Sequence, residues 1–450
     1  MNNRQSKIIH EDLLKVIKNS SWLVLDKLTR GVITLTVGVY LARYLGPKNY
    51  GQYSYVLAYL AVFQCVANLG LDAIVVRDIV RIQAKGDANT NDEKKALGSL
   101  LGTVFELRIL SGFLCWIIGI AIIWAVSDKG AELQEVYIMA IAGFSLLFQS
   151  ADVIDLWFQS QSKSKRTVLA KLTAYIASNG VRILMVVLSA KLVYFALAVL
   201  LESIFTATAM YISYKGYEIG GKLKFEIKKI GRGLLRESYP MWLSAIFAVT
   251  YSRVDQILVG NYLGASELGV YAVAVGLCSI PTVVASVLYV SIMPILSKNS
   301  HNTKVLNAVF CDSVSVLFFI SLSITIALNI FSEKIIISLY GSNYIGVIDI
   351  IKVYSWTIIP AFIGNIQGAW IVVSNKTKYA HIQTVVPIII AIISNIVLIP
   401  SIGVLGAAYS SLISQYICIF IMPLFLFKEL FYLTAKGIFK VNINRKNYES

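Results

Sequence analysis

The chain has 450 residues, 57% of them apolar and only 14% charged, and a formal net charge of +15. A soluble domain is nearer half apolar and a quarter charged, so this balance excludes one. The excess of basic residues sits in short polar segments between long apolar runs, which argues against a nucleic-acid partner and for a charge pattern set by a membrane. The five cysteines (Cys65, Cys115, Cys278, Cys311, Cys418) all lie in apolar stretches with no CxxC spacing, and read as small hydrophobes rather than as a disulfide or metal site. His10, His301 and His381 fall near predicted membrane edges. No Walker A loop, Rossmann glycine loop or HExxH motif occurs, so no cofactor is expected, and transport would run without ATP bound to this chain.

Residues 1–20 (MNNRQSKIIHEDLLKVIKNS) lack the apolar core and cleavage site of a signal peptide. Ile8, Ile9, Leu13, Leu14 and Ile17 recur at roughly helical spacing among charges, which fits either an amphipathic cytoplasmic segment on the membrane surface or a partly disordered tail. Twelve apolar runs then follow, predicted at 21–43, 51–76, 98–126, 136–159, 168–189, 193–214, 238–262, 269–296, 305–331, 346–373, 380–400 and 404–427. Runs of about 20 residues match the hydrocarbon thickness of a bilayer, and only helices satisfy their own backbone there. The expected fold is therefore an all-α polytopic membrane protein of about 12 transmembrane helices. Its expected domains are 1–20, an N-terminal six-helix lobe over 21–217, a cytoplasmic linker over 218–236, a C-terminal six-helix lobe over 237–430 and a cytoplasmic tail over 431–450.

Charge tests the topology. The N-terminal tail, the even-numbered loops and the C-terminus hold 29 of the 40 Lys and Arg residues, whereas the odd-numbered loops hold five: Arg43, Lys48, Lys129, Lys191 and Lys334. The positive-inside rule then places both termini in the cytoplasm. All outward loops are short.

The chain repeats itself. YLGPKNYGQY (44–53) and YLGASELGVY (262–271) both read YLGxxxxGxY, 218 residues apart. Trp157, Lys163 and Lys165 recur as Trp370, Lys376 and Lys378 at an offset of 213, and Ser178-Asn179 recurs as Ser394-Asn395 at 216. Six helices return the chain to the side it started from, so the two lobes form a parallel repeat with a cavity expected between them.

Six bases remain inside predicted helices: Lys27, Arg30, Arg108, Arg182, Arg253 and Lys352. Each costs about 3 kcal/mol or more at the bilayer centre unless it faces water or a partner. Lys27 and Arg30 share a face of the first helix with Thr34 and Gly38. Arg253 stands deep in the seventh, its counterpart, beside Asp255 and Gln256. Helix 2 places Gln64, Asn68 and Asp72 at i, i+4 and i+8, as a polar stripe. These groups either pair structurally or line a cationic, water-filled cavity. In the second case Arg30 and Arg253, with Lys27 and Arg77, are the expected contacts for an anion, because guanidinium binds phosphate bidentately. Arg77 either meets an anionic head group or anchors its helix at the interface. Asp26, Asp72, Asp152 and Asp255 either couple ion movement or pair with neighbouring bases; Asp26 and Arg30 are spaced to pair at i, i+4. Of the 25 Tyr and 7 Trp, those at helix ends read as an interfacial belt, while Tyr59, Tyr251 and Trp356 lie mid-helix where rings could stack on sugars.

The opening helix with its deep Arg, LARYLGPKNYGQYSYVLAYLAVFQCVANLGLDAIVVRDIVR (41–81) and YSRVDQILVGNYLGASELGVYAVA (251–274) resemble the polysaccharide-repeat (O-antigen and capsule, Wzx-type) flippases of the multidrug/oligosaccharidyl-lipid/polysaccharide exporter superfamily. The resemblance spans roughly 15–430. It implies two six-helix bundles around a V-shaped cavity in the bacterial cytoplasmic membrane. It also implies a lipid-linked oligosaccharide on polyprenyl pyrophosphate as cargo, membrane lipids as surroundings, a polysaccharide polymerase and chain-length proteins as partners, and proton or sodium as coupling ion. No enzymatic step is implied. The competing readings are a drug or organic-cation antiporter of the same superfamily, whose cavity should be acidic or apolar, and a membrane polysaccharide polymerase or ligase, against which the short outward loops argue.

Overall fold

A computed structural model describes residues 2–85, 91–126, 133–161, 163–215 and 226–439. Side-chain surroundings are described from Leu25 onward, with positions 85, 164, 377, 378, 380, 381 and 384 set aside. Residues 218–225 of the predicted linker, 440–450 of the predicted tail and the side chains of the predicted amphipathic segment lie outside what is described. The backbone of that segment is helical and runs without interruption into the first span.

Every regular element among the described residues is a helix. The first half of the chain holds α1 (Asn2–Asn68), α2 (Asp72–Lys85), α3 (Asn91–Val126), α4 (Gln134–Gly143), α5 (Ser145–Phe148), α6 (Asp152–Ser160), α7 (Ser164–Val187) and α8 (Leu192–Lys215). The second holds α9 (Arg232–Leu263), α10 (Ala265–Lys298), α11 (Thr303–Leu339), α12 (Val347–Tyr354), α13 (Ile358–Val373), α14 (Thr377–Ile402), α15 (Val404–Tyr416), α16 (Met422–Leu426) and α17 (Lys428–Phe439). The fourth span of each half is bent by a 3₁₀ turn, at Gln149–Ala151 between α5 and α6 and at Ser355–Thr357 between α12 and α13.

Nine helical stretches among the described residues are long and apolar enough to cross a bilayer. The twelve expected helices are present, and three of them do not count as separate stretches of this kind for physical reasons. The first and second form one stretch, Leu25–Ala84, interrupted but not separated. The fifth (in α7) and the seventh (in α9) are diluted by polar residues such as Lys171, Asn179 and Arg182, or Arg253, Asp255 and Gln256. The outer faces are apolar: Leu110, Phe113, Leu114, Ile117 and Ile118 form an exposed stripe along α3 at helical spacing, which only lipid would cover.

Packing divides the chain into two units, residues 1–41 with 56–249 and residues 42–55 with 250–450. The division falls within α9 rather than at the predicted linker, and 42–55 packs with the second unit. The first unit is centred on Leu71, Val75, Ile79, Val104, Leu156 and Phe158. The second is centred on Phe310, Val314, Phe362, Ile366 and Trp370.

The repeated motif explains the placement of 42–55. Gly46 and Gly264 open the two turns at φ 68° and 85°, a region that side chains other than glycine rarely enter. The second glycines meet reciprocally inside the second unit. A Cβ on Gly51 would stand 1.7 Å from the carbonyl oxygen of Ala265, and one on Gly269 would stand 1.9 Å from that of Pro47. Lipid tails are as apolar as leucine, so close backbone approach at small residues supplies much of the helix packing energy in a membrane. The other repeats share hydrogen bonds as well as letters. The Lys163 and Lys376 amides donate to Phe158 and Ile371, each at 3.0 Å. Asn179 and Asn395 donate from Nδ2 to Tyr175 and Ala391, each at 2.8 Å.

Candidate functional site

The polar groups gather in several clusters in each unit, and in the second unit Lys352 pairs with Asp349 at 3.1 Å and Lys376 with Glu429 at 2.6 Å. On α1, Arg30 donates to Asp26 at 2.8 Å and lies 4.7 Å from the ring centre of Tyr175, whose hydroxyl is 2.6 Å from Thr34 Oγ1. The i, i+4 spacing brings the pair together, and α7 supplies the ring. Lys27 is exposed.

The expected polar stripe of helix 2 is not one face of a helix. Helix α1 ends at Asn68, Leu69 and Gly70 take positive φ (58° and 62°), and α2 begins at Asp72. Trp242 causes and holds the break: a Cβ on Gly70 would lie 2.7 Å from its backbone, and its indole donates to Val66 O at 3.0 Å. Asn68 and Asp72 still meet, at 2.9 Å, because Arg108 of α3 binds both through Nη2. Arg108 is 1% exposed, with Nε and Nη1 lacking partners among the described residues, whereas the Asp72 side chain is 53% exposed. Gln64 is exposed and apart from this cluster. Sequence reasoning counted Arg108 among the intramembrane bases but did not assign it to the site; its signal was a lone base in an apolar helix, which demands a nearby acid.

Two further clusters are built on ion pairs. Lys171 bridges Asp152 (3.1 Å) and Asp155 (2.7 Å), and Arg182 binds Glu202 at 3.0 Å and Asn179 at 2.9 Å. Arg77 is held by Asp78 at 2.8 Å and by Glu237 of α9.

The second unit differs. Asp255 of α9 accepts from Asn395 Nδ2 at 2.8 Å, from the Tyr271 hydroxyl at 3.2 Å and from Ser411. None of these donors carries charge. Asn395 Oδ1, beside them, is buried without a partner among the described residues. Arg253, two residues earlier and on another face, is half-buried and forms no ion pair among the described residues. Gln256 is buried. Arg30 thus belongs to the first unit and Arg253 to the second. No group of three or more His, Cys, Asp or Glu side chains suited to a metal occurs among the described residues.

The comparisons agree with this architecture. A family model described as "Polysaccharide biosynthesis protein" matches residues 40–349. The chain belongs to that family. Among curated relatives, a probable low-salt glycan biosynthesis flippase of Haloferax volcanii is 22% identical over 48% of this chain and 46% of its own length. The chain spans about half or less of the length of the curated relatives it matches. Among solved structures, the lipid II flippase MurJ in an inward closed conformation superposes with a TM-score of 0.70 at 17% identity, covering 95% of this chain and 91% of that one. An inward-facing multidrug resistance MATE family transporter superposes with a TM-score of 0.72 at 13% identity, covering 92% and 99%. The family member is therefore a multi-pass membrane protein with the fold shared by those transporters.

Proposed function

We propose that this family member is a flippase that moves polyprenyl-pyrophosphate-linked oligosaccharide repeat units across the bacterial cytoplasmic membrane by alternating access, with both termini cytoplasmic and with proton or sodium as coupling ion. Family membership and a fold shared with a lipid II flippase support the class. The observation that carries the substrate is Arg253, a base in a membrane helix that forms no ion pair among the described residues. A cation at that level is costly unless an anion or water meets it, and a pyrophosphate offers the bidentate acceptor its planar donors fit. Lys27 adds an exposed charge. Arg30 serves more weakly, since a phosphate must compete with Asp26. Arg77 is committed to Asp78 and Glu237, which favours an anchoring role.

The same reasoning sorts the acids. Asp26 and Asp72 each have a base at hand, so their charge is already balanced, and Asp152 shares Lys171 with Asp155. Asp255 has only neutral donors, and the unpartnered Asn395 oxygen gives a small cation a second ligand. Asp255 is the group we assign to ion coupling. The glycan, a polymerase and chain-length proteins complete the proposed context, and no bond-making chemistry is assigned to the chain.

The test is transport of a labelled polyprenyl-pyrophosphate oligosaccharide by purified protein in vesicles. Arg253→Ala should abolish it and Arg253→Lys should restore part, at equal protein level. Full activity in both variants sinks the role of Arg253.

A further inference from the structure

A second cationic feature lies at the amino end of α9, within the first unit. Lys228 and Lys229 fall in the π-helical turn Ile227–Gly231 that leads into α9, and Arg232 and Arg236 follow at i+4 and i+8 from Lys228. All four line one concave space of about 830 Å³, together with Leu235 and Tyr239, and no carboxylate among the described residues lines it. Lys229 has Glu226 3.8 Å away, whereas Lys228, Arg232 and Arg236 form no ion pair among the described residues. An adjoining cavity of about 610 Å³ shares Lys229 but sets Asp78 and Glu226 beside Arg81 and Lys95, so most of its basic charge is offset. The larger one is lined by no balancing carboxylate among the described residues.

The helix changes character immediately beyond it. Tyr239 is 55% exposed and Met241 48%, and the apolar run of α9 follows. Five residues separate Arg236 from Met241, roughly 7 Å along a helix, about the depth from phosphate level to the first acyl carbons. Tyrosine at that level is the usual interfacial residue. Arg253 lies 17 residues further on, roughly 25 Å along α9, so the basic cavity is a separate place from the proposed substrate contact.

We propose that this cavity is a docking site for the head group of an anionic glycerophospholipid, with the phosphate among Lys228, Arg232 and Arg236 and the acyl chains beside Tyr239 and Met241. Several bases at the membrane edge attract anionic lipid, each adding several-fold to affinity at low salt. The proposal does not depend on the flippase reading.

The full-length protein in nanodiscs or mixed micelles tests it, by measuring binding of phosphatidylglycerol and phosphatidylcholine with mass spectrometry of the intact complex. The parent protein should prefer phosphatidylglycerol by tenfold or more. The triple variant Lys228→Gln, Arg232→Gln, Arg236→Gln should lose that preference, and Arg232→Gln alone should lose part of it. Removing two bases elsewhere, Lys428→Gln with Lys436→Gln, should leave it intact, which separates a site from mere net charge. Arg253→Ala should also leave it intact, whether or not it transports. The proposal is overturned if the parent shows no preference, if the single and triple variants keep it, or if the cavity takes polyprenyl pyrophosphate but not phosphatidylglycerol.

Discussion

The two units repeat each other in backbone but not in charge. In the first, Arg30, Arg108, Lys171 and Arg182 each lie against a carboxylate. In the second, Lys352 and Lys376 are paired with Asp349 and Glu429, but among the described residues Arg253 meets no acid and Asp255 no base, although the two stand two residues apart on one helix. The repeated asparagines show the divergence at one position. Asn179 and Asn395 make the same backbone bond, yet Asn179 also accepts from Arg182, while Asn395 donates to Asp255. A neutralised pair holds helices together and is finished. An unmatched charge in a membrane helix is a standing free-energy cost, which a charged ligand can relieve.

Breaking that contrast should have its largest effect at the unmatched arginine. Arg253→Ala is expected to lower transport more than a hundredfold with little loss of folded protein, whereas Arg182→Ala should act mainly on folded yield; vesicle transport assays normalised to protein level compare them.

The shared backbone is tested by the glycine contact. Gly51→Ala and Gly269→Ala each place a methyl group against a carbonyl oxygen that cannot rotate away, and each should destabilise by about 3 kcal/mol, read from thermal or denaturant unfolding in detergent. The reciprocal geometry predicts similar values for the two.

Arg108→Met should destabilise by about 2 kcal/mol, less than the loss of a fully buried pair because Asp72 is half open to its surroundings. Asp72→Asn in that background should recover part of the loss, since it removes the orphaned charge. Asp255→Asn keeps the shape and most of the hydrogen bonds, so its unfolding should shift by less than about 1 kcal/mol. Its transport, however, should no longer respond to an imposed proton or sodium gradient; an unchanged response removes Asp255 from coupling. The smallest effect is expected at Glu237→Gln. Its partner Arg77 keeps Asp78 and both side chains are partly exposed, so the unfolding transition should scarcely move.

Sequence periodicity and charge settled much of this protein. Membrane helices satisfy their own backbones, so each span is a local property, and the observed bounds follow the predicted ones closely from α3 onward. The YLGxxxxGxY repeat, too, was legible as a repeat. What it does was not: that Gly51 and Gly269 touch depends on two segments 218 residues apart meeting. The break at Leu69–Gly70 was equally hidden, because the apolar run continues through it and its cause, Trp242, lies more than 170 residues away. The candidate site follows the same rule. The sequence placed six bases within apolar runs, because the length of a run and the position of a charge in it are local properties. Only the tertiary structure decided which are neutralised, because ion pairing falls off within a few ångströms and its partners come from other helices.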